Sequence, residues 1–131
     1  MAFRCVVVTP EQEALNETIS QAILPAHDGM IGILTGRSPL LVKLGIGPLR
    51  IDLSGGQSRT YFINGGIAQM KDNDLTILTT EAVLPQDIDI EAARAQYAQA
   101  EAQPATDDKS RAERQRLMKR GRVMQEIAGR R

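Results

Sequence analysis

Tryptophan is absent from this 131-residue chain, and there are only two Phe, two Tyr, one His and one Cys. With so few aromatic rings, a surface that stacks bases along a nucleic-acid strand has little to work with. The single cysteine, Cys5, cannot close an internal disulfide, which fits a reducing compartment, and its expected place is as a small hydrophobe inside a strand. The single histidine, His27, sits beside Asp28 with no nucleophile motif and no metal-ligand spacing around it. It reads as a loop histidine, and no metal site or catalytic residue is expected. No apolar run approaches the roughly 18 residues that cross a bilayer. No basic segment with a cleavage site precedes Phe3, so no secretory or transit peptide is expected. A phosphate-cradling G-x-x-x-x-G-K-S/T loop is missing too. Gly29, Gly32 and Gly36 neither make G-x-G-x-x-G nor open a helix, so turn chemistry accounts for them.

What is present divides along the chain. Nine of the eleven glycines lie between Gly29 and Gly66, and none lies between Gly66 and Gly121. A turn-rich β region therefore gives way to helix. Strands are expected over Phe3–Val8, over Glu17–Leu24 closing at Pro25, and over Leu49–Leu53, Arg59–Ile63 and Leu75–Leu78. In Leu49–Leu53 the odd residues share one face, while Arg50 and Asp52 share the other. Turns are expected at Thr9-Pro10, Gly55-Gly56, Gly65-Gly66 and Asp72-Asn73-Asp74. Short strands at this spacing, with no crossover helix before residue 86, indicate a sandwich or flattened barrel.

Pro85 ends the β region, and Asp87 and Asp89 are N-cap candidates for a first helix carrying a stripe of Ile90, Ala93, Tyr97 and Ala100. Pro104 stops that helix, and Asp107-Asp108 start a second with Leu117, Gly121, Met124 and Ala128 on one face. Gly121 in a helix interior is expected to weaken an already thin helix pair by about 1 kcal/mol. Such a pair is expected to dock on something else or to exchange between states.

The zero net charge hides a division. Residues 1–106 carry seven Lys/Arg against twelve Asp/Glu, and residues 107–131 carry nine against four. Lys109, Arg111, Arg114, Arg116, Lys119, Arg120 and Arg122 make most of the second helix basic. A solvated helix face is the ordinary reading of such a run. The thin apolar stripe beside it favours an acidic protein surface as partner. A nucleic-acid-binding module gripping through this tail is the alternative, and the acidic balance of the β region counts against it.

The segment from Leu24 to Ile51, LPAHDGMIGILTGRSPLLVKLGIGPLRI, resembles the signature of the epsilon subunit family of F-type ATP synthases. The fitting positions are Pro25, Gly29, Gly32, Ile33, Leu34, Pro39, Leu40, Leu41, Leu44, Gly47, Arg50 and Ile51. Tyr61–Gly66, the strand at Asp74–Thr79 and the linker at Thr80-Glu81-Ala82 are similar to further family features.

The resemblance implies a ten-stranded β-sandwich over residues 1–85 and a C-terminal helical hairpin over 86–131. It implies a non-catalytic central-stalk subunit that couples the gamma subunit to the c ring, peripheral at the cytoplasmic face of a bacterial plasma membrane, without insertion into it. Contact candidates for gamma and the c ring are Met30, Ile31, Gly36, Arg37, Ser38, Pro39 and Leu40. The family's usual histidine in its H-x-P motif is Arg37 in this sequence, and Met30 stands where many relatives place an acid. The resemblance further implies that Arg111, Arg114, Arg116, Lys119, Arg120 and Arg122 meet the acidic C-terminal region of the beta subunits and inhibit ATP hydrolysis. No cofactor is implied. Some members bind ATP as a regulatory ligand at the first helix, where this chain offers Glu91 and Arg94. Glu stands in place of the family's Asp, and an ordinary i,i+3 ion pair explains the two residues equally well.

Overall fold

The structure, a computed structural model, describes residues 2–129. It divides into two compact units between Leu84 and Pro85.

The first unit is built from seven strands: β1 (Phe3–Val8), β2 (Glu13–Ala26), β3 (Gly29–Leu34), β4 (Leu40–Leu53), β5 (Ser58–Lys71), β6 (Asp74–Leu78) and β7 (Ala82–Val83). Hydrogen bonding runs β1-β6-β5-β4-β2, and β1 also pairs with β2, so these five strands close into a barrel. The remaining strands pair outside that ring, β3 on β2 and β7 on β5. Among the described residues, only the β1–β6 ladder is parallel.

The ten-stranded sandwich expected from the resemblance is therefore corrected to a five-stranded barrel with two added strands. The difference lies in three strands of 14 residues each, β2, β4 and β5. Taking each as two arms restores a count of ten, but the chain bends through them without stopping. In the β2–β4 ladder the register shifts between Ile19 and Gln21 and again between Ile23 and Ala26. Such irregularities turn a strand without ending it. The expected stop at Pro25 is corrected as well, since Pro25 lies inside β2. It is paired there with Met30 of β3.

Gly65-Gly66, expected as a turn, lies within β5. Both residues have positive φ, 73° and 125°, so the glycines permit a bend in a continuous strand. The Asp72-Asn73 connection is the tight turn the sequence indicates. Its two residues take left-handed φ values of 52° and 63°, the arrangement that matches the twist of a β-hairpin.

Alternation fills the barrel with aliphatic side chains. Leu24, Ile33, Leu49, Ile51, Ile63 and Ile77 are fully buried, joined by Phe3, Cys5, Val7, Met70 and Leu75. A core of this composition explains how the domain manages with so few aromatics, because burial of β-branched and leucine side chains supplies about 1.5–3 kcal/mol each.

The second unit begins with a turn of 3-10 helix, Pro85–Asp87, followed by helices α1 (Ile90–Ala102) and α2 (Asp108–Ala128). Of the two N-cap candidates, Asp89 caps α1, its carboxylate accepting from the Ala92 N–H at 3.1 Å. Asp107 caps α2 in a reciprocal box with Ser110, at 2.7 Å from the Ser110 N–H. The first helix ends two residues before Pro104, as a proline requires. Where the helices cross, Gly121 is buried against α1. A β-carbon there would stand 3.0 Å from the Ala93 carbonyl oxygen and 3.1 Å from Tyr97 Cβ. The expectation that Gly121 merely weakens the pair is thereby revised, since the missing side chain lets the two helices approach.

Candidate functional site

No constellation of catalytic type emerges among the described residues, which contain no group of three His, Cys, Asp or Glu side chains able to hold a metal ion. His27 is exposed in the two-residue connection between β2 and β3, and its backbone N–H donates to the Lys43 carbonyl at 2.9 Å. Burial pushes the Cys5 thiol up to about 12, which leaves it protonated and inert at neutral pH. The features with functional content are surfaces.

The first surface is the outer wall of the barrel. On β4, β5 and β6 the residues that alternate with the core face outward, and the ladders align them in rows. Lys43 pairs with Ile67, which pairs with Leu78, which pairs with Val8 of β1. The neighbouring row is Leu41, Gln69, Thr76 and Val6. Leu41 is 71% exposed, Leu78 51% and Ile67 49%, so large aliphatic side chains stand in water side by side. Contiguous apolar exposure of this kind marks an interaction surface.

The sequence-derived contact candidates do not coincide with this wall. Leu40 packs against the core, and its neighbour Leu41 is the exposed member of the pair. Ile31 likewise packs inward, whereas Met30 before it is 56% exposed. Gly36, Arg37, Ser38 and Pro39 form an exposed loop between β3 and β4. Ile67 and Leu78 escaped sequence reasoning altogether. Strict alternation beside buried Ala68 and Ile77 was the signal that would have found them.

The second surface is α2, and here the structure pairs most of the basic residues. Arg111 meets Asp108 at 3.1 Å, Arg116 meets Glu113 at 2.7 Å, and Arg122 approaches Glu126 at 3.9 Å. The Arg116 bonds hold the Glu113 carboxyl below its ordinary range, and the Ser110 bonds do the same for Asp107. Arg120 bonds the Gln96 side-chain oxygen on α1.

Arg114 is placed differently. Its Nε donates to the Ala100 carbonyl at 3.2 Å and its Nη2 to the Glu101 carbonyl at 2.9 Å. Those carbonyls belong to the last turn of α1, where a helix leaves acceptors unsatisfied and its dipole is negative. Lys109 and Lys119 are exposed, and no ion pair engages either of them among the described residues. Arg130 and Arg131, the last two of the basic residues, lie outside the described residues. On α1, Arg94 and Glu91 bond each other at 2.9 Å on the exposed face, the geometry of an i,i+3 surface pair.

Comparisons with known proteins agree with the architecture. A family model described as the β-sandwich domain of the ATP synthase delta/epsilon chain matches residues 2–85. The ATP synthase epsilon chain of Rhodopirellula baltica is 42% identical over 83 residues, 63% of this chain and 64% of that one. The chloroplastic epsilon chain of Nephroselmis olivacea is 34% identical over 130 residues, 98% of this chain and 97% of that one. Among solved structures, a chain of the Euglena gracilis mitochondrial ATP synthase, in an assembly of OSCP, F1 and c ring, superposes with a TM-score of 0.84. It is 23% identical, with 95% of this chain and 80% of that chain covered, and so speaks for the fold. Nothing in these relatives supports the nucleic-acid reading of the tail. The β domain, its match over residues 2–85 and the near full-length similarity to an epsilon chain lead to one conclusion: the chain belongs to the epsilon chain family of ATP synthases.

Proposed function

We propose that the chain is a non-catalytic central-stalk subunit of an F-type ATP synthase, turning with the rotor and joining gamma to the c ring. It is a peripheral subunit at the cytoplasmic face of a bacterial plasma membrane; among the described residues no helix is long and apolar enough to cross a bilayer. Family membership supports this reading. The observation that carries it is the exposure of three aliphatic side chains, Ile67 and Leu78 in one row and Leu41 in the next, on a wall of an otherwise well-packed barrel. A subunit whose work is to be held between larger partners needs such a surface, and a catalyst would need a cleft with converging polar groups. We assign gamma to the aliphatic wall and the c ring to Met30 and the Gly36–Pro39 loop, which lie at opposite ends of β3. Co-purification tests this directly: the chain is expected to form a stable complex with gamma, and a chain that stays monomeric beside gamma contradicts it.

The hairpin is proposed to restrain ATP hydrolysis by placing α2 against the acidic C-terminal region of the beta subunits. The basic character of α2 supports this, and the exposed, unengaged Lys119 offers the cleanest probe. Charge reversal at the arginines disturbs their pairs within the hairpin, whereas Lys119→Glu leaves those pairs in place. Deleting residues 105–131 is expected to raise ATPase activity of the assembled enzyme, with Lys119→Glu moving it in the same direction. Unchanged activity in the deletion removes inhibition from the account.

A further inference from the structure

We infer that Asn73 is a positioning residue: its side chain fixes the Gly36–Pro39 loop against the β5–β6 turn and thereby sets how tightly that loop holds its partner. The link to binding rests on the reading of this loop as a contact, given above.

The turn itself does not require an asparagine side chain. Asp72 and Asn73 both take left-handed backbone conformations, and at the second position glycine would serve as well. The side chain nevertheless bonds two segments far away in sequence. Its Oδ1 accepts from the Gly36 N–H at 3.2 Å, and its Nδ2 donates to the Ala2 carbonyl at 3.3 Å. Its backbone carbonyl accepts from the Arg4 N–H at 3.4 Å. One residue thus joins the chain's beginning, the β3–β4 loop and the β5–β6 turn. A carboxamide presents an acceptor to one site and a donor to the other from two separate atoms.

The loop has little else to hold it. Arg37 N–H bonds the Leu34 carbonyl at 3.3 Å, a strictly local contact. The Thr35 hydroxyl beside Gly36 is buried with no hydrogen-bond partner among the described residues, so it contributes no anchor. Gly36 has φ 78°, in a region where glycine is free to move among conformations. An exposed hydrogen bond adds little to global stability. Its effect on binding is larger when it orders a loop before the partner arrives, because the ordering cost is then not charged to association.

Two variants of the full chain and one control test this. Asn73→Gly keeps the left-handed turn and removes both side-chain bonds; Asn73→Asp keeps an acceptor for Gly36 and loses the donor to Ala2. Thr35→Val lies in the same loop and removes no bond. Amide hydrogen exchange at Gly36 is measured on the free chain. Dissociation is measured from a purified complex of gamma and c ring. Asn73→Gly is expected to accelerate Gly36 exchange and to speed dissociation, each by about tenfold, the effect of one hydrogen bond. Asn73→Asp is expected to retain Gly36 protection, and Thr35→Val to leave both measurements as in the parent. Unchanged Gly36 exchange in Asn73→Gly overturns the positioning role. Accelerated exchange with unchanged dissociation overturns the link to binding, and with it the assignment of this loop as a contact.

Discussion

A β-carbon placed on Gly66 would stand 1.9 Å from the carbonyl oxygen of Leu78. The next residue, Ile67, pairs with Leu78 across the β5–β6 ladder. The glycine therefore lets β5 bend closely over β6 at the point where two exposed aliphatic side chains meet. Gly66→Ala must open that contact and also strain a φ of 125°. A loss of about 3 kcal/mol in denaturant unfolding is expected, in the upper range for single substitutions. Gly56→Ala is the comparison. Its φ is 95°, but open space surrounds the added carbon, so only the backbone penalty of about 1–2 kcal/mol applies.

Arg114 and Arg111 separate capping from surface pairing. Arg114→Ala removes two bonds to the final carbonyls of α1. It is expected to cost about 1–2 kcal/mol, as a cation does at a favourable, partly buried helix C-terminus. Faster amide exchange in the hairpin is the readout. Arg111→Ala removes an exposed ion pair with Asp108 and is expected to change stability by less than about 0.5 kcal/mol.

Acid should act on the start of α2. Asp107 is held below the ordinary carboxylate range by bonds from Ser110, and Glu113 by bonds from Arg116. Carboxylates with lowered values favour the folded helix above the unfolded range, near pH 4. That contribution is lost as pH falls through the lowered values. Helix content measured by circular dichroism is therefore expected to be constant from neutral pH down to about pH 5 and to decline below it. Asp107→Asn retains a capping oxygen and should reduce the part of the decline that belongs to the cap.

Cys5 should be silent toward thiol reagents in the folded chain. Its side chain is fully buried and the thiol is pushed up to about 12. Labelling with a chromogenic disulfide is expected to proceed only as fast as the barrel opens, and to become fast in denaturant. Rapid labelling of the native chain would contradict the buried placement.

Much of this fold was legible because local and global signals agree. The bounds of β1, the Asp72-Asn73 turn, the Asp89 and Asp107 caps and the break at Pro104 each follow from one residue's backbone preference or hydrogen-bonding chemistry. Pro25 and Gly65-Gly66 misled for the opposite reason. They are ordinary stop signals, but in a closed barrel they mark bends in long strands whose pairing continues past them. Gly121 reads as a flaw in a lone helix and becomes a contact point only when α1 lies against it. At the surface, Leu40 and Leu41 are indistinguishable by composition, and only the ladder register tells which one faces water. The partners of the arginines are partly local, at i,i+3 and i,i+4, and could be read from spacing. The Arg114 clasp and the Asn73 bonds cross the fold and could not.

The most direct measurement is the equilibrium binding of the full chain to purified gamma, comparing the parent with Ile67→Asp and Leu78→Asp. Both side chains are exposed on the barrel wall, so the folded domain tolerates a carboxylate at either site. If the wall is the docking surface, burying an unpaired charge against gamma weakens binding by at least about a hundredfold while thermal stability stays close to that of the parent. Binding as tight as that of the parent in both variants would contradict the account.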